Sequence, residues 1–244
     1  MINNTLKIPD PGLLHKISGV KVEDALNLLT KEFPEAVTFS SSFSQEDQVI
    51  SHIILSHRIP VSIFTLDTGR LFAETYSTWT ATNEKYGVNI RAFSPDRVLL
   101  EDYINVHGPN GFYQSLQNRK SCCHIRKVEP LQRALAGNRV WVTGLRAEHS
   151  PERKNHELLE WDEANRIIKY NPLLNWTTKE VKEFIDEHDI PYNPLHDRGF
   201  VSIGCAPCTR AIAPGEDFRA GRWWWEEQSK KECGLHGYIP ERAL

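Results

Sequence analysis

Several things are missing from this sequence, and each absence closes off a class of function. No apolar run among its 244 residues approaches the roughly 20 that a membrane-spanning helix requires. Met1-Ile2-Asn3-Asn4 opens neither a secretory signal nor a transit peptide. There is no surplus of positive charge: 29 Lys and Arg stand against 32 Asp and Glu, a formal net charge of −3. That balance gives no general field for nucleic acid or another polyanion, so any basic site must be local. Internal repeats and low-complexity linkers are absent as well. A hydrophobic content of 40% is enough for a sizeable core, and the expectation is one large domain with an extension. Cysteine is scarce, with five in the chain. Reactive thiols without an export signal point to the cytoplasm.

The five thiols are distributed unevenly. Cys122 and Cys123 are adjacent, Cys205 and Cys208 form a C-x-x-C, and Cys233 stands apart in Lys231-Glu232-Cys233-Gly234-Leu235-His236. A lone C-x-x-C serves redox switches, zinc sites and iron–sulfur clusters alike. Two tight pairs supply four soft ligands for one zinc ion or one iron–sulfur cluster and leave the fifth thiol to react. Neighbouring side chains diverge, which makes Cys122-Cys123 awkward around a single zinc, whereas a cluster can take each sulfur on a different iron. Ligand chemistry therefore favours a four-iron cluster, with zinc as the alternative. Buried structural thiols without a metal fit less well, given the polar neighbours His124, Arg126 and Arg210.

Along the chain, Val22, Ala25, Leu26, Leu28 and Leu29 recur at a helical period before Pro34. Residues 36–39 read as a short buried strand. They run into Ser40-Ser41-Ser42-Phe43-Ser44-Gln45-Glu46-Asp47, after which Val49, Ile50, Ile53 and Ile54 mark a second helix. Strand, polar turn and helix aim unpaired backbone N–H groups at an anion; a plain serine cap explains the same residues equally well. Val61 to Leu66 is a second strand, followed by Asp67-Thr68-Gly69-Arg70 and a helix-like segment from Leu71 to Tyr86. A third strand, Val88 to Phe93, precedes a helix over residues 96–106, with Val98, Leu99, Tyr103 and Ile104 as its stripe. A further helix is expected from about Cys123 to Ala136, then a strand from Arg139 to Gly144. Alternation of this kind predicts an α/β fold, a parallel twisted sheet flanked by helices. Ligands of such sheets sit beyond the carboxyl ends of the strands, where Ser42, Asp67 and Gly144-Leu145-Arg146 fall.

The second half is less regular. Ile167 to Tyr170 resembles a strand. Thr177 with Glu180 forms a capping box for a helix that buries Val181, Phe184 and Ile185 and stops before Pro191. Asn193 to Gly199 is a loop, and an irregular tail is expected from Ala211 onward. The division expected is residues 1–210 for the α/β domain and 211–244 for the tail. In that tail Trp223-Trp224-Trp225 suits core or interface packing better than a platform for bases.

Five stretches, taken in order, resemble the assimilatory adenylyl-sulfate and phosphoadenylyl-sulfate reductases. They are Ser42-Phe43-Ser44-Gln45-Glu46-Asp47, Leu66-Asp67-Thr68-Gly69-Arg70, Cys122-Cys123-His124-Ile125-Arg126-Lys127, Thr143-Gly144-Leu145-Arg146 and Glu232-Cys233-Gly234-Leu235-His236. The two cysteine pairs are similar to those of the iron–sulfur branch, whose members reduce adenylyl sulfate; the branch without them uses the 3'-phosphorylated nucleotide. Many relatives carry glycine where Ser44 stands.

The resemblance implies a Rossmann-like fold of the adenine nucleotide alpha-hydrolase type and one 4Fe-4S cluster on Cys122, Cys123, Cys205 and Cys208. It implies that Cys233 attacks the substrate sulfur, forming S-sulfocysteine, and that thioredoxin then releases sulfite. Lys230, Lys231 and His236 favour the thiolate, while Glu232 opposes them. Lys127, Arg219 and Arg222 match basic residues around the phosphosulfate, and His236 matches a histidine beside the nucleophile. Lys127 lies four residues after Cys123, on the same side of a helix, which brings its charge near the cluster. Ser42, Phe43, Ser44, Leu66, Gly69 and Arg146 are the expected nucleotide contacts. Asp67 either meets ribose or caps the next helix. His124, His196 and Asp197 are expected to be satisfied polar residues. No nucleic acid or membrane partner is expected, and assembly into a homo-oligomer is left open. Two rivals remain. An ATP-pyrophosphatase-like adenylating or thiolating enzyme would carry a Ser-Gly-Gly-x-Asp-Ser turn, which is absent, and a redox sensor would have no use for a nucleotide turn.

Overall fold

The computed structural model describes residues 11–149 and 156–227. Six strands form one sheet: β1 Val37–Ser40, β2 Ser62–Leu66, β3 Arg91–Phe93, β4 Val140–Val142, β5 Leu159–Asp162 and β6 Ile167–Tyr170. Their order is β3-β2-β1-β4-β6-β5. Every pairing is parallel except that of β5 with β6. Phe39 of β1 sits between Ile63 and Val142 in register. Val37, Thr38 and Phe39, like all of β4, are buried, as strands covered on both faces must be. The parallel α/β class expected from alternation is therefore the one observed. Edge strand β5 was not anticipated, because Leu159-Glu160-Trp161-Asp162 carries only one fully buried side chain and no alternating pattern.

Helices α1 Pro11–Ile17, α2 Val22–Glu32, α3 Gln45–Ser56 and α8 Thr178–Glu187 cover one face. Leu13, Ile17, Leu26, Leu29, Ile50, Ile53, Val181 and Ile185 join Phe39, Val140 and Val142 in the largest apolar cluster. Thr177 caps α8 through the expected box with Glu180. On the other face, Leu131, Ala134 and Leu135 of α7 Glu129–Leu135 pack on Phe64, Trp141 and Ile167. Helix α4 Ala73–Tyr86 ends on Gly87, whose φ of 64° is the left-handed conformation glycine adopts without steric cost.

Two expectations need correction. Helix α5 spans Arg97–His107, but Val98 and Leu99 are 54% and 43% exposed; its inward side is Tyr103 with Leu100 and Ile104. The helix expected to start near Cys123 begins earlier, as α6 Leu116–Cys123, because Ser115 accepts the Asn118 N–H and caps it. It continues through a π-helical turn, His124–Val128, into α7. Among the described residues no helix is long and apolar enough to cross a membrane.

Candidate active site

Strand order reverses at β1: β2 and β3 lie to one side of it, β4 and β6 to the other. The carboxyl ends of β1, β2 and β4 open there onto a cavity of about 250 Å³. Ser42, Ser44, Leu66, Lys127, Arg219 and Arg222 line it, together with Asp47, Gly144, His196, Gly204 and Cys205.

The turn after β1 is held by its own helix. Ser44 is the N-cap of α3, accepting the Asp47 N–H at 3.5 Å. The Ser42 N–H and hydroxyl both donate to Asp47 Oδ2 at 2.6 Å. The geometry contains the serine cap, and Ser42, which also lines the cavity, donates its N–H and hydroxyl to Asp47. Phe43 adopts a φ of 60°, rare for a residue with a side chain. Its ring is fully buried and stacked on Trp79 at 5.7 Å, so it supports the turn from behind and does not line the cavity.

Two carboxylates, Glu46 and Asp47, line the cavity, and the sequence assigned no role to Asp47. Burial, opposed by the Ser42 hydrogen bonds, raises its pKa from 3.8 to about 6. A Cβ on Gly144 would lie 2.2 Å from Asp47 Oδ1, so glycine there is what lets the β4 turn close against the carboxylate. The folded state thus holds a proton that the unfolded chain gives up. That contribution is fully present below the unfolded pKa of 3.8 and is lost as pH rises through about 6. Asp47→Asn lacks this dependence. Relative to the parent, the variant should gain stability from pH 4 to pH 7, by at most about 3 kcal/mol. Denaturant midpoints for both proteins across that range test it; a difference independent of pH contradicts it.

The other expected nucleotide contacts are placed differently. Gly69 has a φ of 67° and donates its N–H to Asp67 Oδ1 at 2.9 Å, while Tyr76 donates to the same oxygen. Asp67 therefore organises its own turn. Helix α4 starts at Ala73, after an N-cap Phe72 that makes no side-chain cap bond, so Asp67 is not that helix's cap. Arg146 is 2% exposed, and its guanidinium bonds to Glu46, Glu148, Trp176 O and Thr178. It is not part of the cavity wall; it compensates the Glu46 carboxylate beside it.

The basic residues converge. The π turn buries Arg126 and Lys127, a local irregularity of the kind often found at functional sites. Lys127 lies with the thiols on one wall, as its position four residues after Cys123 predicted, although the turn that carries it is π-helical. Residues 209–222 fold back along the cavity: Thr209 and Arg222 form an isolated bridge, and the Trp223 N–H donates to Cys208 O at 3.0 Å. A Cβ on Gly204 would lie 2.3 Å from the Arg222 guanidinium, so that glycine makes room for it. Trp223 is fully buried, with the guanidiniums of Arg119, Arg219 and Arg222 at 4.6, 5.7 and 4.8 Å from its rings. Trp224, by contrast, is 50% exposed. The run of tryptophans had suggested packing without saying which ring was central. Cys233 and His236 lie outside the described residues.

Against this cavity stands a second, smaller chamber. All four paired thiols line it with Arg70, Phe112, Arg119, Arg126, Lys127, Pro207 and Trp223. Cys122 and Cys123 come from the end of α6; Cys205 and Cys208 bracket the turn Ala206–Cys208. All four are buried and free of disulfides. Lys127 and Cys205 belong to both walls. The Cys205 thiol donates to the Thr68 hydroxyl at 3.3 Å, and Arg126 donates to Thr68 O at 2.6 Å. Burial and the neighbouring thiols push Cys208 up to about 12, against the pull of Lys127 and Arg222. Among the described residues no three His, Cys, Asp or Glu side chains are grouped to hold a single metal ion. His196 does not behave as the satisfied polar residue expected: its Nε2 is buried and has no hydrogen-bond partner. Asp197 does, accepting from Tyr192 at 2.9 Å.

Parallel strands that reverse order at β1 and open onto a cavity place this chain among the doubly wound α/β proteins, which take ligands at that reversal. The chain belongs to the phosphoadenosine phosphosulfate reductase domain family, whose profile matches residues 36–211. It is 53% identical over 220 residues to an adenosine 5'-phosphosulfate reductase of Burkholderia cepacia, covering 89% of this chain and 88% of that one. An enzyme of the same name from Allochromatium vinosum is 50% identical over 214 residues, 87% and 84% of the two chains. Among solved structures, the phosphate complex of a phosphoadenylyl-sulfate reductase from Candida auris superposes with a TM-score of 0.70. The two are 27% identical over 84% of this chain and 98% of that one.

Proposed function

We propose that this chain reduces adenosine 5'-phosphosulfate to sulfite and AMP in sulfate assimilation, with thioredoxin as the dithiol reductant. The observation that carries the reading is the meeting of Lys127, Arg219 and Arg222 in one cavity at the sheet's switch point. Cations in a largely dry site match a substrate whose phosphate and sulfate are both anionic. Arg146 is already committed to Glu46, and Asp47 leaves the first turn of α3 acidic. That charge favours a nucleotide without a 3'-phosphate.

The chemistry assigned to the chain is two displacements at sulfur. The Cys233 thiolate attacks the sulfate sulfur; an S–S bond forms, the S–O bond breaks, and AMP leaves with the electron pair. A thiolate of the reductant then attacks the Cys233 sulfur, and sulfite leaves with the pair of the broken S–S bond. The reductant's second thiol resolves the mixed disulfide. Lys127, Arg219 and Arg222 bind the anhydride and stabilise the charge that gathers on the departing phosphate.

Cys122, Cys123, Cys205 and Cys208 would hold one 4Fe-4S cluster. Several features support that assignment over zinc. One zinc would draw its sulfurs to within about 4 Å of one another, whereas Cys122 and Cys123 are successive helical residues that diverge. The donor set is all thiol, and Arg70, Arg119, Arg126 and Lys127 surround it with positive charge. Two buried donors of the wall, Arg126 Nε and Trp223 Nε1, have no partner and suit inorganic or cysteine sulfur. When bound, the cluster supplies position and negative charge, fixing α6 against the Ala206–Cys208 turn.

The test is anaerobic purification, an absorption spectrum, and thioredoxin-dependent sulfite production from each of the two nucleotides. A brown protein active on adenosine 5'-phosphosulfate, and less so on its 3'-phosphorylated form, is expected. An iron-free preparation with full turnover would exclude the cluster.

A further inference from the structure

The thiol chamber has an inner wall, shared with the substrate cavity through Lys127 and Cys205, and an outer wall made by Arg70, Phe112 and Pro207. The outer wall is assembled from three separate segments, and one residue ties them together. The Arg70 guanidinium lies over the Phe112 ring at 5.0 Å and donates to Pro109 O and to Asn110 Oδ1. Its own carbonyl accepts the Ala206 N–H at 2.8 Å, at the start of the turn between Cys205 and Cys208. A second tie crosses nearby, where the Tyr113 hydroxyl donates to Pro207 O at 2.7 Å. Gly69, Pro109 and Asn110 around this point are exposed, whereas Phe112 beneath the guanidinium is 1% exposed. Among the described residues, Arg70, Phe112 and Pro207 form the wall of the thiol chamber on this side. Arg70 does not line the substrate cavity.

We propose that Arg70, with Tyr113 as its second fastening, is the latch of the thiol chamber: it closes the outer route by which iron, chelators and oxidants reach the four cysteines. The role is one of positioning, since Arg70 holds Phe112 and the Ala206–Cys208 turn in place. Planarity matters as well as charge, because a guanidinium can stack on the ring and bond two acceptors at once, which an ammonium does less well. Opening the latch lets iron depart as its chelate while the released thiolates take up protons.

The inference rests on the cluster assignment for its iron measurement but not for its thiol measurement. Arg70→Ala, Arg70→Lys and Tyr113→Phe are compared with the parent for loss of visible absorbance to a strong ferrous chelator without air. The apoproteins are compared for the rate at which an aromatic disulfide reagent modifies buried thiols. Thr177→Ala, which removes the cap of α8 away from the chamber, serves as a control for general destabilisation. Release and thiol modification should both quicken about tenfold in Arg70→Ala and by a smaller factor in Arg70→Lys and Tyr113→Phe. AMP affinity should stay within about twofold, because neither Arg70 nor Tyr113 lines the nucleotide cavity. Rates equal to the parent's, or equally raised in Thr177→Ala, overturn the latch. A parent protein without iron would sink the cluster assignment, and the thiol rates would still decide whether Arg70 closes the chamber.

Discussion

Sulfite production should fall about a hundred- to a thousandfold when Lys127 is replaced by alanine, with the brown colour retained. The argument is one of placement. Lys127 is 9% exposed, sits in the π turn after the cysteine pair, and is the cation common to the substrate cavity and the thiol chamber. Arg219 and Arg222 remain in the cavity wall of the variant and should still hold the anionic nucleotide, so affinity should change less than turnover. On the proposed scheme the Lys127 ammonium meets the charge that accumulates as the S–O bond breaks, and in a water-poor site an oriented charge is worth several kcal/mol. Steady-state kinetics with adenosine 5'-phosphosulfate give the split between kcat and KM. A kcat within about fivefold of the parent would remove Lys127 from the transition state.

Changing Cys233 to serine should stop sulfite formation altogether while AMP binding and the iron content persist. Five cysteines are present, and four of them line one buried chamber. All four are buried, and burial with neighbouring thiols pushes Cys208 up to about 12 and raises Cys122, which makes those two poor nucleophiles. Cys233 is the thiol that remains for a covalent step. Mass spectrometry of the protein mixed with substrate and no reductant should find one added sulfonate on the parent and none on the variant. An adduct that persists in Cys233→Ser would move the nucleophile to another residue and break the scheme.

Much of the fold could be read in advance because its signals are local. The runs at β1, β2 and β4 are short and apolar between turn formers, and the capping box at Thr177 and Glu180 satisfies donors within one helical turn. Strand β5 could not be read this way: it pairs with β6 along one edge, and edge strands need no buried pattern. Helix α5 was placed well but turned wrongly. Its apolar residues outnumber those the thiol chamber needs, and nothing local says that Val98 and Leu99 are the surplus. The early start of α6 depends on Ser115 as its cap, a signal that stands in the sequence with no apolar period behind it.

The candidate site divides along the same line. The strand-end turns offered Ser42, Ser44 and Leu66, the family resemblance implied Lys127, Arg219 and Arg222, and the fold brings all six to one cavity. Arg146 belonged to the same pattern of motifs, yet its guanidinium is consumed by Glu46 and Glu148. Asp47 was in plain view within the first motif, but its raised pKa exists only once burial has removed its water.

By itself the sequence determined the α/β class, the family and the sorting of five thiols into a quartet and one apart, because periodicity, motif order and cysteine spacing are properties of the chain as written. Only the tertiary structure decided that Lys127 and Cys205 stand in the wall between two chambers, that Trp223 is the ring beneath the guanidiniums, and that Arg70 closes the outer side. Those relations join segments far apart in the chain, and burial, not spacing, sets which charges and hydrogen bonds are left to act.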